Sequence, residues 1–245
     1  MNDSQQQPAE HDLFGRLRSL KGVRLEWPIL LIVLIVASAI WGFIELADEV
    51  SEGSTDAIDR RLLLLLRDPN DPFKMLGPSW LGELMRDFTS LGGTGVLTFV
   101  TLSATGFLVL ERKRHAAALL LVSVVGGVIL SNVLKLTFAR PRPEFSDYEP
   151  LIATASFPSA HSMMSAVVYL TIGALIARMR PDPLVRAYVL SLAIFVAVIV
   201  GISRIYLGVH WPTDVLAGWV VGSAWALFCW LVALLLQRRG DVENP

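Results

Sequence analysis

Lys135-Leu136-Thr137-Phe138-Ala139-Arg140-Pro141-Arg142-Pro143 closes an apolar run that begins near residue 116. The run has about 20 residues, the length of a helix that crosses a bilayer. It ends in three cations and two prolines, and proline cannot continue a helix. The same pattern of a long apolar segment with a polar end occurs twice more. Pro158-Ser159-Ala160-His161 opens a run over roughly 161–178. Ser203-Arg204-Ile205-Tyr206-Leu207-Gly208-Val209-His210-Trp211-Pro212-Thr213-Asp214 joins runs over roughly 186–203 and 213–236.

Working outward, two further apolar runs cover about 27–46 and 93–110. The chain is 53% hydrophobic and 18% charged, where soluble chains carry roughly 25% charged residues. Mean hydropathy is +0.55. These features predict an all-α, polytopic membrane protein, a single bundle of six transmembrane helices over 27–237. Residues 1–26 form a polar, mildly basic tail (Arg16, Arg18, Lys21, Arg24) and 238–245 a second tail. Ala37-Ser38-Ala39 resembles a signal-peptide cleavage site, but the apolar run continues past it, so the first helix is read as retained. A net charge of −1 argues against a nucleic-acid surface. Cys229 is the only cysteine, which leaves no intrachain disulfide and disfavours cysteine-based metal or redox chemistry.

The connection 47–91 is acidic but patterned. Ile58, Leu62, Leu65 and Leu66 share one helical face, and Trp80, Leu81, Leu84, Met85, Phe88 and Leu91 share another. Both stretches read as short amphipathic helices at the membrane surface or capping the bundle. Basic residues fix the orientation. Arg112, Lys113 and Arg114 lie between spans two and three, Arg178, Arg180 and Arg186 between four and five, and Arg238 and Arg239 after six. With the basic N-terminal tail they fall on one side, the cytoplasmic side by the positive-inside rule. Both termini are then cytoplasmic, and all three motifs lie at the extracytoplasmic face of a cytoplasmic membrane.

The motif residues can hold and cleave a phosphate. Lys135, Arg142 and Arg204 can neutralise the charge that grows on phosphoryl oxygens, although cations at helix ends also snorkel to the interface. For Arg140 the two readings are equally weighted. Ser159 can cap the fourth span or donate to a phosphate oxygen. The N–H groups at that helix start favour an anion, and His161 can protonate a leaving oxygen. His210 and Asp214 are four residues apart, so the carboxylate can orient one imidazole nitrogen and leave the other free to attack. A simple helix-cap contact is the alternative. The outer face lacks a dense carboxylate cluster or a His-x-x-x-His pair, so a metal-independent reaction with no cofactor is expected.

These residues resemble the type 2 phosphatidic acid phosphatase superfamily. Its pattern is Lys, six residues, Arg-Pro; then Pro-Ser-Gly-His; then Ser-Arg, five residues, His, three residues, Asp. Lys135, Arg142 and Pro143 match the first part, Pro158, Ser159 and His161 the second, and Ser203, Arg204, His210 and Asp214 the third. Ala160 stands in place of the glycine. The resemblance implies that His210 is the nucleophile held by Asp214, and that His161 is the acid and then the base. It also implies that Lys135, Arg142, Ser159, the Ala160 N–H and Arg204 bind phosphate. It implies a membrane lipid as partner, with undecaprenyl diphosphate the first choice. Phosphatidylglycerophosphate, phosphatidate and lipid A phosphates are the alternatives. A phosphotransferase acting through His210 and a non-hydrolytic lipid or anion transporter are the rival readings. The transporter is disfavoured because no paired inverted repeat is evident.

Overall fold

A computed structural model of the chain describes residues 27–145 and 155–238. The predicted tail 1–26, with His11, and residues 239–245 of the predicted tail 238–245, with Arg239, lie outside these bounds. The helices are α1 (Trp27–Glu52), α2 (Asp56–Leu64), α3 (Ser79–Ser90), α4 (Thr94–Leu110), α5 (Arg114–Thr137), α6 (Ala160–Arg178), α7 (Pro183–Tyr206) and α8 (Pro212–Arg238). Five of them, α1, α5, α6, α7 and α8, are long and apolar enough to cross a membrane. The 17-residue α4 follows α3 across a 47° bend, and the two taken together are also long and apolar enough to cross a membrane, as a broken span or a re-entrant loop. The protein is therefore a multi-pass, all-α membrane protein, as the apolar runs predict.

Three local features differ from the sequence reading. α1 runs on to Glu52 rather than stopping near 46. Asp48, Glu49 and Glu52 do not break a helix, and the stop comes at Gly53, whose φ of 78° lies in the left-handed region. A two-stranded antiparallel hairpin, β1 (Arg67–Asp68) with β2 (Asp71–Met75), sits in the 47–91 connection. Strands this short carry no readable alternation. On α2 the expected apolar face is turned away from the protein. Ile58, Leu62 and Leu65 are exposed, whereas Asp59 and Leu63 are wholly buried. The helix thus docks through a carboxylate and one leucine, and offers its apolar face to the surroundings.

α6 is the central span. It packs along α7 and α8, and also against α5 and α4. In its apolar window 61% of residues are buried within the protein, against 6% for α1, which makes α1 a peripheral helix. Leu, Ile and Val on the outer faces of α1, α4, α5 and α7 are exposed. Burying such surface is worth roughly 25 cal/mol per Å², so these faces call for lipid. The contact between α6 and α8 depends on small residues one turn apart. A Cβ on Gly218 would meet the Ser159 carbonyl oxygen at 2.6 Å, and one on Gly222 would run into that of Met163. Close backbone approach of this kind is how small residues four apart join membrane helices. Here it sets the start of α6 against the first turns of α8, which brings the second motif to the third.

Candidate active site

The segment between α7 and α8 is folded tightly by its own backbone. Leu207 ends α7 and Gly208 follows with φ 71°. The Gly208 N–H donates to Ile205 and the Val209 N–H to Arg204, the two-bond closure that commonly ends a helix. The chain reverses there, and His210 follows just before Pro212 starts α8. His210 is 1% exposed and Asp214 is fully buried.

Asp214 is held at both oxygens. Oδ2 accepts the Trp211 N–H at 2.9 Å and the Ser156 hydroxyl at 2.5 Å, and lies 3.4 Å from His210 Nδ1. Oδ1 accepts Arg140 Nη1 at 2.9 Å. Ser156 Oγ is also 3.3 Å from His210 Nδ1. Ser156 can thus accept from the ring N–H while donating to the carboxylate, a link that supports the long direct contact. These partners favour the tautomer with hydrogen on Nδ1. Nε2 then carries the lone pair, and Arg142 Nη1 is 3.1 Å from it. Burial pushes the His210 imidazole down to about 4, against the upward pull of Asp214. The ring is therefore neutral at physiological pH.

The cations surround this histidine. Arg142, 8% exposed, donates through Nη1 to the Val209 carbonyl at 2.7 Å. Lys135 Nζ, at the end of α5, donates to the Ala155 carbonyl at 2.7 Å. Arg204, in the last turn of α7, donates to Thr89 Oγ1 at 2.9 Å, and its Nε finds no partner among the described residues. Ser159 caps α6 and accepts from Ser162 N–H and Oγ. Its own N–H donates to the Asp214 carbonyl at 2.9 Å, which ties the second motif to the third. Ala160 and His161 occupy the first two positions of α6, where N–H groups have no partner within the helix. His161 lies within electrostatic reach of Arg204, His210, Lys135 and Arg142. All eight residues singled out in the sequence therefore meet at one end of the bundle.

Residues 116–238, about half the chain and the part that holds every one of these motifs, match the PAP2 superfamily. The chain belongs to the PAP2 superfamily. It is similar to phosphatidylglycerophosphatase B of Bacillus subtilis (strain 168), 34% identical over 172 residues, which is 69% of this chain and 78% of that protein. It is also similar to undecaprenyl-diphosphatase of Sulfolobus acidocaldarius, 34% identical over 142 residues, 56% of this chain and 63% of the other. Among solved structures it resembles a transmembrane PAP2 type phosphatidylglycerolphosphate phosphatase from Bacillus subtilis. The TM-score is 0.70 at 31% identity, over 83% of this chain and 98% of that one.

The bundle opens sideways at His161. A groove of about 300 Å³ runs between α4, α5 and α6, with Ala160 and His161 at its head and Leu102, Val125 and Val128 along its walls. Neither amphipathic stretch lines it, although Gly92 and Thr94, just past the end of 80–91, do. α2 lies elsewhere, against Arg140 and Thr213. Several residues at the site lay outside the sequence reading. Ser156 is close to Ser159 in the chain, but no spacing rule marks it. Thr89 and Asp59 come from the 47–91 connection, and their contacts exist only in three dimensions.

Proposed function

We propose that this protein is a membrane lipid phosphatase that works through a phosphohistidine on His210. Lys135, Arg142, Arg204, Ser159 and the Ala160 N–H bind the phosphoryl oxygens. His210 Nε2 bonds to phosphorus as the bond to the leaving oxygen breaks, and His161 supplies the proton to that oxygen. His161 then takes a proton from water, the water oxygen bonds to phosphorus, and the N–P bond breaks to release phosphate. Asp214 keeps Nδ1 protonated and the ring oriented. The observation that carries this reading is the position of Arg142 Nη1 at 3.1 Å from His210 Nε2. A phosphate oxygen bound by that guanidinium lies beside the lone pair of the nucleophile.

The reaction proceeds without a metal. Among the described residues no three His, Cys, Asp or Glu side chains are grouped to hold an ion, and cations already supply the charge at the site. The apolar groove at His161 suits a substrate whose tail stays in the bilayer, since exposing each CH₂ to water costs roughly 0.8 kcal/mol. The basic turns at the opposite end of the bundle favour an extracytoplasmic site, with both termini in the cytoplasm. Undecaprenyl diphosphate at that face is the substrate proposed first. Phosphatidylglycerophosphate is the second, favoured by the likeness to the Bacillus subtilis protein over 78% of its length. Phosphate release from a panel of phosphorylated lipids, with parent and His210→Ala, tests the proposal. The parent is expected to hydrolyse one lipid class in the presence of EDTA, and His210→Ala none. Turnover by His210→Ala would sink the nucleophile. Loss on chelation that a divalent ion restores would sink the metal-free mechanism.

A further inference from the structure

We infer that Arg140 and Asp59 are positioning residues, through which α2 holds Asp214 and hence His210 in their working orientation from outside the bundle. The inference rests on the reading of His210 as nucleophile. Neither residue touches the phosphate site. Arg140 instead fills the space behind Asp214. Its Nη1 donates to Asp214 Oδ1 at 2.9 Å and to Thr213 Oγ1 at 2.7 Å. Its Nη2 donates to Asp59 Oδ2 at 2.8 Å, Asp56 Oδ1 at 2.9 Å and Thr55 Oγ1 at 3.2 Å. Its face lies over the Trp211 ring at 5.6 Å. A planar guanidinium paired on both edges is fixed in place.

Asp59 completes the brace. It is fully buried. Oδ1 accepts the Thr213 N–H at 3.0 Å, and Oδ2 accepts Thr213 Oγ1 at 2.5 Å as well as Arg140. The Thr213 N–H is one of the groups that a helix start leaves unpaired, so Asp59 caps α8 from another helix, next to Asp214 in sequence. The arrangement accounts for the orientation of α2, with its carboxylate inward and Ile58 and Leu62 outward. A buried ion network adds little net stability compared with apolar packing. What this one supplies is geometry. Asp214 Oδ2 already serves Ser156, Trp211 and His210, and Arg140 on Oδ1 stops the carboxylate from rotating out of that set.

A positioning role has a signature that loss of packing lacks. The charged and titratable groups around His210 are Asp214 from α8, Arg142 from the segment after α5, Arg204 from α7, His161 from α6 and, through Asp214, Lys135 from α5. Arg140 does not face the ring itself. It draws on the charge of Asp214, and without it that carboxylate pulls harder on the His210 proton. Full-length parent, Arg140→Gln, Arg140→Lys and Asp59→Asn are compared in detergent, with phosphate release measured against pH and lipid phosphate concentration. Arg140→Gln is expected to lose kcat by about tenfold to a hundredfold, the scale of a charge-assisted hydrogen bond. KM stays near the parent value, and the acid limb of kcat/KM moves to higher pH. Arg140→Lys recovers part of kcat. Asp59→Asn keeps an acceptor for the Thr213 N–H but removes the charge, and falls between. If Arg140→Gln fails to fold, judged by gel filtration and helical circular dichroism, Asp59→Asn carries the test alone. Parent kcat in the variants overturns the inference, and so does a lowered kcat with an unmoved acid limb. His210→Ala is measured beside them. Activity there removes the underlying reading, whereas an inactive His210→Ala with an unaffected Arg140→Gln removes only the brace.

Discussion

Arg140 and Arg204 are arginines with buried side chains at the same end of the bundle, and they keep opposite company. Arg140 faces three carboxylates, Asp56, Asp59 and Asp214, at 2.8 to 2.9 Å. Burial lowers its guanidinium pKa, but those carboxylates more than offset burial and hold it above its ordinary value. Among the described residues, Arg204 donates to a neutral hydroxyl, that of Thr89, and its Nε has no partner. Lys135 likewise bonds a neutral carbonyl. A buried cation without a carboxylate is costly on its own and gains most from an anion that arrives later. A cation already neutralised has nothing to gain from one. The difference supports the proposed assignment of Arg204 and Lys135 to substrate, and of Arg140 to the frame.

The largest expected effect follows from that division. Arg204→Ala should lower kcat/KM by roughly 10²- to 10³-fold, as when one donor to a developing oxyanion is removed, and inhibition by vanadate should weaken with it. Arg140→Gln should leave the vanadate constant near the parent value while kcat falls. If both variants lose vanadate affinity alike, the distinction between substrate cations and frame cations is wrong. Inhibition constants measured on the two purified proteins decide it.

A smaller loss is expected at Ser156. Its hydroxyl links His210 to Asp214, so Ser156→Ala removes the bridge and leaves the 3.4 Å contact alone. A net hydrogen bond is worth about 1 kcal/mol, or roughly fivefold in kcat. Ser156→Thr, which keeps the hydroxyl, should recover much of it. A hundredfold loss in Ser156→Ala would mean that the serine, not the carboxylate, chiefly orients the ring.

The acid limb of the pH profile sharpens the same contrast. As the proposed nucleophile, His210 must be unprotonated to attack, and burial holds its pKa at about 4 rather than the ordinary 6.5. Activity of the free enzyme should therefore persist as pH falls below 6.5 and fade only near 4. Stability has the same sign. Between 6.5 and 4 the unfolded chain takes up the proton and the folded chain does not, so stability declines as pH drops through that window. A limb in kcat/KM near 6.5 would show that His210 is more open to water than its 1% exposure implies.

The candidates of the substrate half were named from the sequence, and the frame half was not. Lys135, Arg142, Ser159, His161, Arg204, His210 and Asp214 were marked by their resemblance to a family pattern, which spacing beside apolar runs would not have supplied alone. The spans were legible from length, since about 20 apolar residues in a row have few other uses. The end of α1 was missed because acidic residues mark an interface without breaking a helix. Asp59 was missed because hydrophobic periodicity describes which face is apolar, not which face is buried, and at a membrane surface the two can be opposite. Arg140 was seen but left undecided, since its partners come from 81 residues earlier and 74 residues later in the chain.

The smallest effect is expected where the sequence departs from its family. Ala160 stands in place of a glycine, which raises the question of whether its methyl narrows the phosphate site. Ser159, the cap, has extended backbone angles of φ −67° and ψ 111°, and Ala160 is the first residue of α6. Ala160 thus has helical geometry, which needs no glycine, and its N–H keeps the direction of the helix start. The methyl borders the groove beside His161 rather than closing it. Ala160→Gly should then leave kcat within about twofold and cost less than about 1 kcal/mol of stability, the penalty of glycine within a helix. Steady-state rates on short- and long-tailed lipid phosphates, together with a thermal melt, measure both quantities. A gain of tenfold or more in kcat/KM on the longer lipid would show that the methyl does gate the groove. The phosphate cradle would then be shaped by its apolar neighbour as well as by its cations.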